Sequence, residues 1–203
     1  MALRLITAPA VQPLTLAEAK AHLRVDSSDD DFLIASLIDA ARAYVDGKDG
    51  FLGRALVTQT WEVVIDEFPE NEIKIPLPPL QSVVSIKYDD SAGVEQTLAT
   101  TEYTVDAVSE PGWVVPVTTG WPASIFEGIN AVRIQFVAGY PPGTDSPVDL
   151  AANVPGSVKA AMLLHVGAFY AHRENVVVGQ TAVLLPWASE QLLRPYRVQL
   201  GMA

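Results

Sequence analysis

The sequence predicts an α+β fold, a four-helix core interrupted by an antiparallel β-rich domain. Helical capping and helical periodicity occupy both ends of the 203-residue chain, and short alternating runs fill its middle. Residues 55–150 hold 14 of the 24 acidic side chains but only three basic ones, Lys74, Lys87 and Arg133. The same span carries ten of the fifteen prolines, while the two flanks together balance to zero charge. Composition therefore divides the chain into residues 1–54, with helices one and two; 55–150, an acidic β-rich insert; and 151–203, with helices three and four and a C-terminal tail.

Thr15 and Glu18 fit a capping box, and Leu16, Ala19 and Leu23 follow at helical spacing. "DSSDDD" (26–31) separates this helix from the next, with Ser28 or Asp29 as N-cap. A calcium loop counted from Asp26 would need Gly at its sixth position and Glu at its twelfth. Asp31 and Leu37 stand there, so capping is the preferred reading. Ile34, Leu37, Ile38, Ala41, Tyr44 and Val45 form the stripe of helix two, and Gly47 is a natural stop.

Seven strand-like runs follow: "TQTWEVVIDEF", "EIKIPL", "SVVSIKYDD", "VEQTL", "EYTVD", "WVVPV" and "AVRIQFVAGY". "DDSAGV" (89–94) reads as a hairpin turn. Pro76, Pro78, Pro79 and Pro116 must lie at edges, bulges or strand ends, because proline cannot donate to a ladder. In helix three, Val158, Met162, His165, Phe169 and His172 share one side, widened by Ala161, Leu164 and Ala168. Pro186 and Trp187 open a short fourth helix through Leu193, and Pro195 ends it.

Several classes of chemistry find no support. There are no cysteines, which removes disulfides and thiolate chemistry and fits manufacture in a reducing cytoplasm. No apolar run reaches the roughly 18–20 residues of a membrane span. The N-terminus lacks the apolar core of a signal peptide. No nucleophile elbow, phosphate loop or dinucleotide fingerprint is present. His165 and His172 lie two helical turns apart, about 10.5 Å along the axis, too far to ligate one ion locally. Glu174 points to another side of a regular helix. His165 reads instead as a core or interface residue, and His172 and Arg173 as favourable positive charge near a helix C-terminus. No catalytic residue, metal site or cofactor is expected. Trp61, Trp113, Trp121 and Trp187 leave a carbohydrate-binding or hydrolytic β-domain as an alternative, with sheet core the preferred reading.

The order of these elements carries a resemblance. "LTLAEAKAHLRVD…DDDFLIASLIDAARAYVDG", "GRALVTQTWEVVIDEFP…IKIPLPPLQSVVSIKYDD", "WP" (121–122), "VRIQFVAGY", "VKAAMLLHVGAFYAHRE" and "LLRPYRV" together resemble head–tail connector proteins (adaptors) of long-tailed phages and phage-like gene transfer agents. The likeness is to the longer branch, in which a β-rich segment interrupts a bundle-like helical core.

That resemblance implies a structural, non-enzymatic subunit at the neck of a virion or phage-like particle. It implies a homo-oligomeric ring, usually of twelve, beneath the portal, extending the DNA channel and offering a platform to a stopper or tail-completion protein. Another neck component, such as a stopper, is a further alternative. The resemblance also implies a portal-docking C-terminus, here Leu192, Leu193, Arg194, Tyr196, Arg197, Val198 and Leu200. Tyr and Arg are common interface anchors. Ile34, Leu37, Ile38, Ala41, His165, Phe169 and His172 are candidates for ring interface or core. Phosphate binding needs clustered cations, so an acidic insert with three of them suits DNA that passes without specific binding.

Overall fold

A computed structural model describes residues 1–117, 120–172 and 186–198. The elements run β1 (Ala2–Thr7), α1 (Leu16–Leu23), α2 (Asp31–Val45), β2 (Gln59–Ile65), β3 (Ile73–Ile75), β4 (Leu80–Asp89), β5 (Glu95–Thr97), β6 (Tyr103–Asp106), β7 (Gly112–Pro116), β8 (Val132–Ala138), α3 (Gly156–Ala171) and α4 (Pro186–Leu193). A 3₁₀ turn, Arg194–Tyr196, follows α4. The fold is thus α+β, with seven antiparallel strands between two helical stretches and an eighth, β1, ahead of the first.

Local chemistry sets the helix ends. The Thr15 hydroxyl accepts from the Glu18 N–H at 3.1 Å, and the Glu18 carboxylate accepts from the Thr15 N–H at 2.7 Å, completing the capping box. The start of α2 departs from expectation. Its N-cap is Asp30, not Ser28 or Asp29, and its side chain makes no capping bond. Asp30 instead accepts from the Tyr170 hydroxyl, and Asp31 pairs with Lys20 at 2.5 Å. These carboxylates fasten α2 to α3 and to α1.

Helix α2 buries Ile34, Ile38, Ala41 and Val45. Helix α3 buries Val158, Ala161, Met162 and Val166. The two pack together, α1 lies against both, and α4 lies against α3. Ala19, Leu52, Leu56 and Leu193 complete one hydrophobic cluster. The buried face of α3 is not the predicted stripe. Val158, Ala161 and Met162 point inward as read, but Leu164 and Phe169 are exposed and His165 is half-buried. Helix α3 is apolar nearly all round, so periodicity alone did not fix which face turns inward.

All seven middle segments form strands. One sheet has the order β1-β2-β8-β4-β5 and a second the order β3-β7-β6. Trp61, Val63, Ile134 and Phe136 alternate into a second hydrophobic cluster, with Ile75, Ile86 and Val114. Asp90 anchors the β4–β5 hairpin by accepting from Ala92 and Val94 N–H groups. Gly93 supplies the left-handed φ of +76° the turn requires. Pro76, Pro78 and Pro79 fall between strands and Pro116 ends β7. Strand β1 has no counterpart in the sequence reading. It pairs antiparallel with β2, from Ala2 opposite Val64 to Thr7 opposite Thr60, and forms a sheet edge.

Residues 46–58 join α2 to the sheet. Gly47, at φ +82°, turns the chain. The Asp46 carboxylate is nearly enclosed. It accepts from the Leu56 N–H at 2.8 Å and from Gln59 Nε2 at 3.2 Å, while Gln59 Oε1 accepts from the Trp61 indole at 3.0 Å. This relay connects the end of a helix to the first residues of a central strand.

Candidate functional site

Two surfaces stand out around the helix–sheet junction. The first is a row of ring contacts running from α3 to the C-terminal tail. Phe169 lies 6.0 Å from His165, His165 lies 4.7 Å from Tyr44, and Tyr44 stacks on Phe51 at 5.8 Å, nearly parallel. The Arg197 guanidinium covers the Phe51 ring at 4.7 Å. Tyr44 and Phe169 remain 38% and 40% exposed, so the row is a surface feature, not core. His165 Nε2 is enclosed without a hydrogen-bond partner among the described residues. Burial holds His165 below the ordinary histidine value, opposed by a weaker attraction from Glu190.

The second feature is the seat of the tail. The Val198 N–H donates to the Leu52 carbonyl at 2.9 Å. Arg54 Nε donates to the Tyr196 carbonyl, and its guanidinium pairs with Glu110 at 2.5 Å. Burial opposes the Arg54 charge, but Glu110 and Tyr140 together outweigh it and hold the guanidinium above its ordinary range. The Tyr196 hydroxyl accepts from Ser157 at 3.1 Å. The tail is therefore strapped against the helical end of the chain, held by Leu52 and Arg54 of the α2–β2 loop and by Ser157 of α3.

The predicted site residues separate under this geometry. Ile34, Ile38 and Ala41 are buried in the helical cluster, with Leu37 packed at its edge. His165 and Phe169 lie on the exposed row, and His172 caps α3 in an exposed position. Leu193 is fully buried, so it anchors α4 and is closed to a partner in this conformation. Arg194 and Arg197 are exposed; Leu192, Tyr196 and Val198 are partly so. Leu200, Arg173 and Glu174 lie outside the described residues. Phe51 and Arg54, central to the tail seat, stand in a loop with no periodic pattern, and only their residue types could have marked them.

In the middle segment, every cation is engaged. Arg133 grips Asp89 through both guanidinium nitrogens, at 2.5 and 3.1 Å, and also reaches Glu95. Lys87 pairs with Glu95 at 2.8 Å. Lys74 sits over the Trp113 ring at 5.9 Å. Neither Asp89 nor Glu95 is strongly buried, yet the hydrogen bonds from Arg133 and Lys87 hold their pKa values below the ordinary range. Among the described residues, Trp61, Trp113 and Trp121 form no common platform. Trp61 is buried, Trp113 lies beneath Lys74, and Trp121 stacks on Phe68.

Residues 13–110 match the model of the family described as Phage gp6-like head-tail connector protein. The resemblance read from the sequence is therefore shown over that span. The fold is shared with a chain from the neck of an empty GTA particle computed with C6 symmetry, at TM-score 0.76 and 22% identity. It is shared with a chain from the virion of a native gene transfer agent particle, at TM-score 0.75 and 22% identity. A chain from the neck of a native GTA particle computed with C12 symmetry matches at TM-score 0.70 and 20% identity. Each match covers 100% of this chain and 98% of the other. No curated protein matches the chain.

Proposed function

We propose that this chain is a structural head–tail connector, an adaptor subunit of the neck of a phage or gene transfer agent particle. The observation that carries the reading is the family match over residues 13–110, supported by a fold shared from end to end with GTA neck chains. In this reading twelve copies close into a ring beneath the portal, extend the DNA channel and present a platform to a stopper or tail-completion protein. The chain acts by assembly, without catalysis.

The residues suit these tasks. A closed ring needs two different faces that meet head to tail. The four helices form the bundle-like wedge, and the exposed row of Tyr44, His165 and Phe169 supplies one such face. Residues 55–150, joined by strand β1 from the first flank, form the inserted module, borne by the helices of 1–54 and 151–203. Arg194 and Arg197, with Leu192, Tyr196 and Val198, form the portal-docking end. Its attachment to Leu52, Arg54 and Ser157 gives it a fixed direction. The insert has an excess of carboxylates and no uncommitted cation, which repels phosphate and lets DNA slide.

Mixing the purified chain with the portal protein of the same particle tests the reading. A mass measurement should show a discrete complex with about one ring of connector per portal. Replacing Arg194 and Arg197 by Glu should abolish that complex without unfolding the chain. A portal complex that survives this reversal would remove the tail from the docking site.

A further inference from the structure

A cleft of about 670 Å³ opens at the end of the sheet module, between the loop after β2 and the loop before β8. Its aromatic part is built, not incidental. Phe68 stacks on Trp121 with centroids 5.1 Å apart and planes within 7°. Tyr88 meets the other side of Phe68 edge-on at 5.7 Å, and the Trp121 indole N–H donates to the Asn71 carbonyl. Phe126, 44% exposed, forms the outer wall. Glu67, Glu70 and Glu127 line the rim and are exposed. None of the three has an ion pair or side-chain hydrogen bond among the described residues. Asp66, the fourth carboxylate there, accepts from the Asn130 N–H at 2.9 Å.

We propose that this cleft docks a lysine- or arginine-bearing segment of a partner protein. The cations of the module itself are committed elsewhere: Lys87 and Arg133 to carboxylates and Lys74 to Trp113. The rim carboxylates therefore face solvent uncompensated, beside the exposed ring of Phe126 and the partly buried Phe68–Trp121 stack. Guanidinium and ammonium groups satisfy both features, by pairing with carboxylates and by lying against aromatic faces. A single metal ion fits less well, because no cluster of acidic or histidine side chains among the described residues is close enough to hold one. Nucleic acid would meet only negative charge. A sugar would find the indole N–H of Trp121 already used and one ring face covered by Phe68. The inference does not depend on the neck reading, and its failure leaves that reading standing.

The full chain should be titrated with a peptide of repeating Arg-Gly-Leu, using repeating Glu-Gly-Leu as control. Calorimetry reads affinity, and hydrogen-exchange mass spectrometry reads location. The basic peptide should bind, slow exchange in residues 66–72 and 120–128, and weaken as salt is raised. Combining Glu67→Gln, Glu70→Gln and Glu127→Gln should weaken it about tenfold, since three exposed charge contacts are removed. Phe126→Ala should weaken it as well. Equal binding of the acidic peptide, protection confined to other residues, or unchanged affinity in the triple variant would overturn the proposal. So would calcium alone producing the same protection.

Discussion

The Arg54 guanidinium donates to the main-chain carbonyl of Tyr196, fastening the C-terminal tail to the loop between α2 and β2. The same side chain pairs with Glu110 ahead of β7. One residue thus holds loop, tail and sheet module in register. Arg54→Ala removes both interactions, and unfolding free energy should fall by about 2 kcal/mol, as expected for charged hydrogen bonds at a shielded site. The Val198 N–H, bonded to Leu52, should exchange much faster. Denaturant titration and amide exchange check the two effects separately.

The helical candidates should separate into two kinds. Ile38→Ala opens a cavity in the helical cluster and should cost about 2–5 kcal/mol of monomer stability. Phe169→Ala removes an exposed ring and should change monomer stability by less than about 1 kcal/mol. Under the ring proposal it should nonetheless impair self-assembly, which sedimentation measures. Loss of stability without loss of assembly would place Phe169 in structure alone.

Burial lowers the pKa of His165 below 6.5, so the folded chain resists protonation there. The unfolded chain then binds more protons as pH falls through that window. Stability from this group is present above pH 6.5 and lost on acidification toward the folded value. Thermal melts should show this loss, and His165→Phe, which keeps a ring beside Tyr44, should reduce it. An unchanged acid dependence in that variant would assign the effect elsewhere.

Asp46 behaves in the opposite sense. Burial raises its pKa above 3.8, against the bonds from Leu56, Arg42 and Gln59. The folded chain therefore holds this proton more tightly, and the associated stability is lost as pH rises through the folded pKa. Asp46→Asn keeps a carbonyl acceptor for the Leu56 N–H and removes the buried charge. It should be nearly neutral at pH 7 and flatten the loss of stability as pH rises from 3.8 through the folded pKa. Asp46→Ala should cost about 1–3 kcal/mol by leaving that N–H unpaired. Chemical denaturation of both variants across pH separates charge from hydrogen bonding.

Much of this architecture is legible locally. Thr15 and Glu18 announce the first helix because both halves of a capping box lie within four residues. The seven middle strands announce themselves by alternation and by the prolines between them. Strand β1 escapes because its partner is some 58 positions away and only Leu3 packs toward the second cluster. The N-cap of α2, Asp30, makes no side-chain capping bond, and its carboxylate is instead bound by Tyr170, far along the chain. The exposed row and the tail seat depend on contacts among Tyr44, Phe51, Arg54, His165 and Arg197, which only the tertiary fold brings together. The acid–aromatic cleft joins residues near 68 to residues near 121 in the same way.

The most direct test of the connector proposal is electron microscopy of this chain assembled with its portal protein. The account predicts a closed ring of twelve copies on the tail-facing end of the portal, with residues 192–198 at the contact and the acidic module beside the channel. A chain that stays monomeric in the presence of the portal, or that assembles only at a site distant from it, would contradict the account.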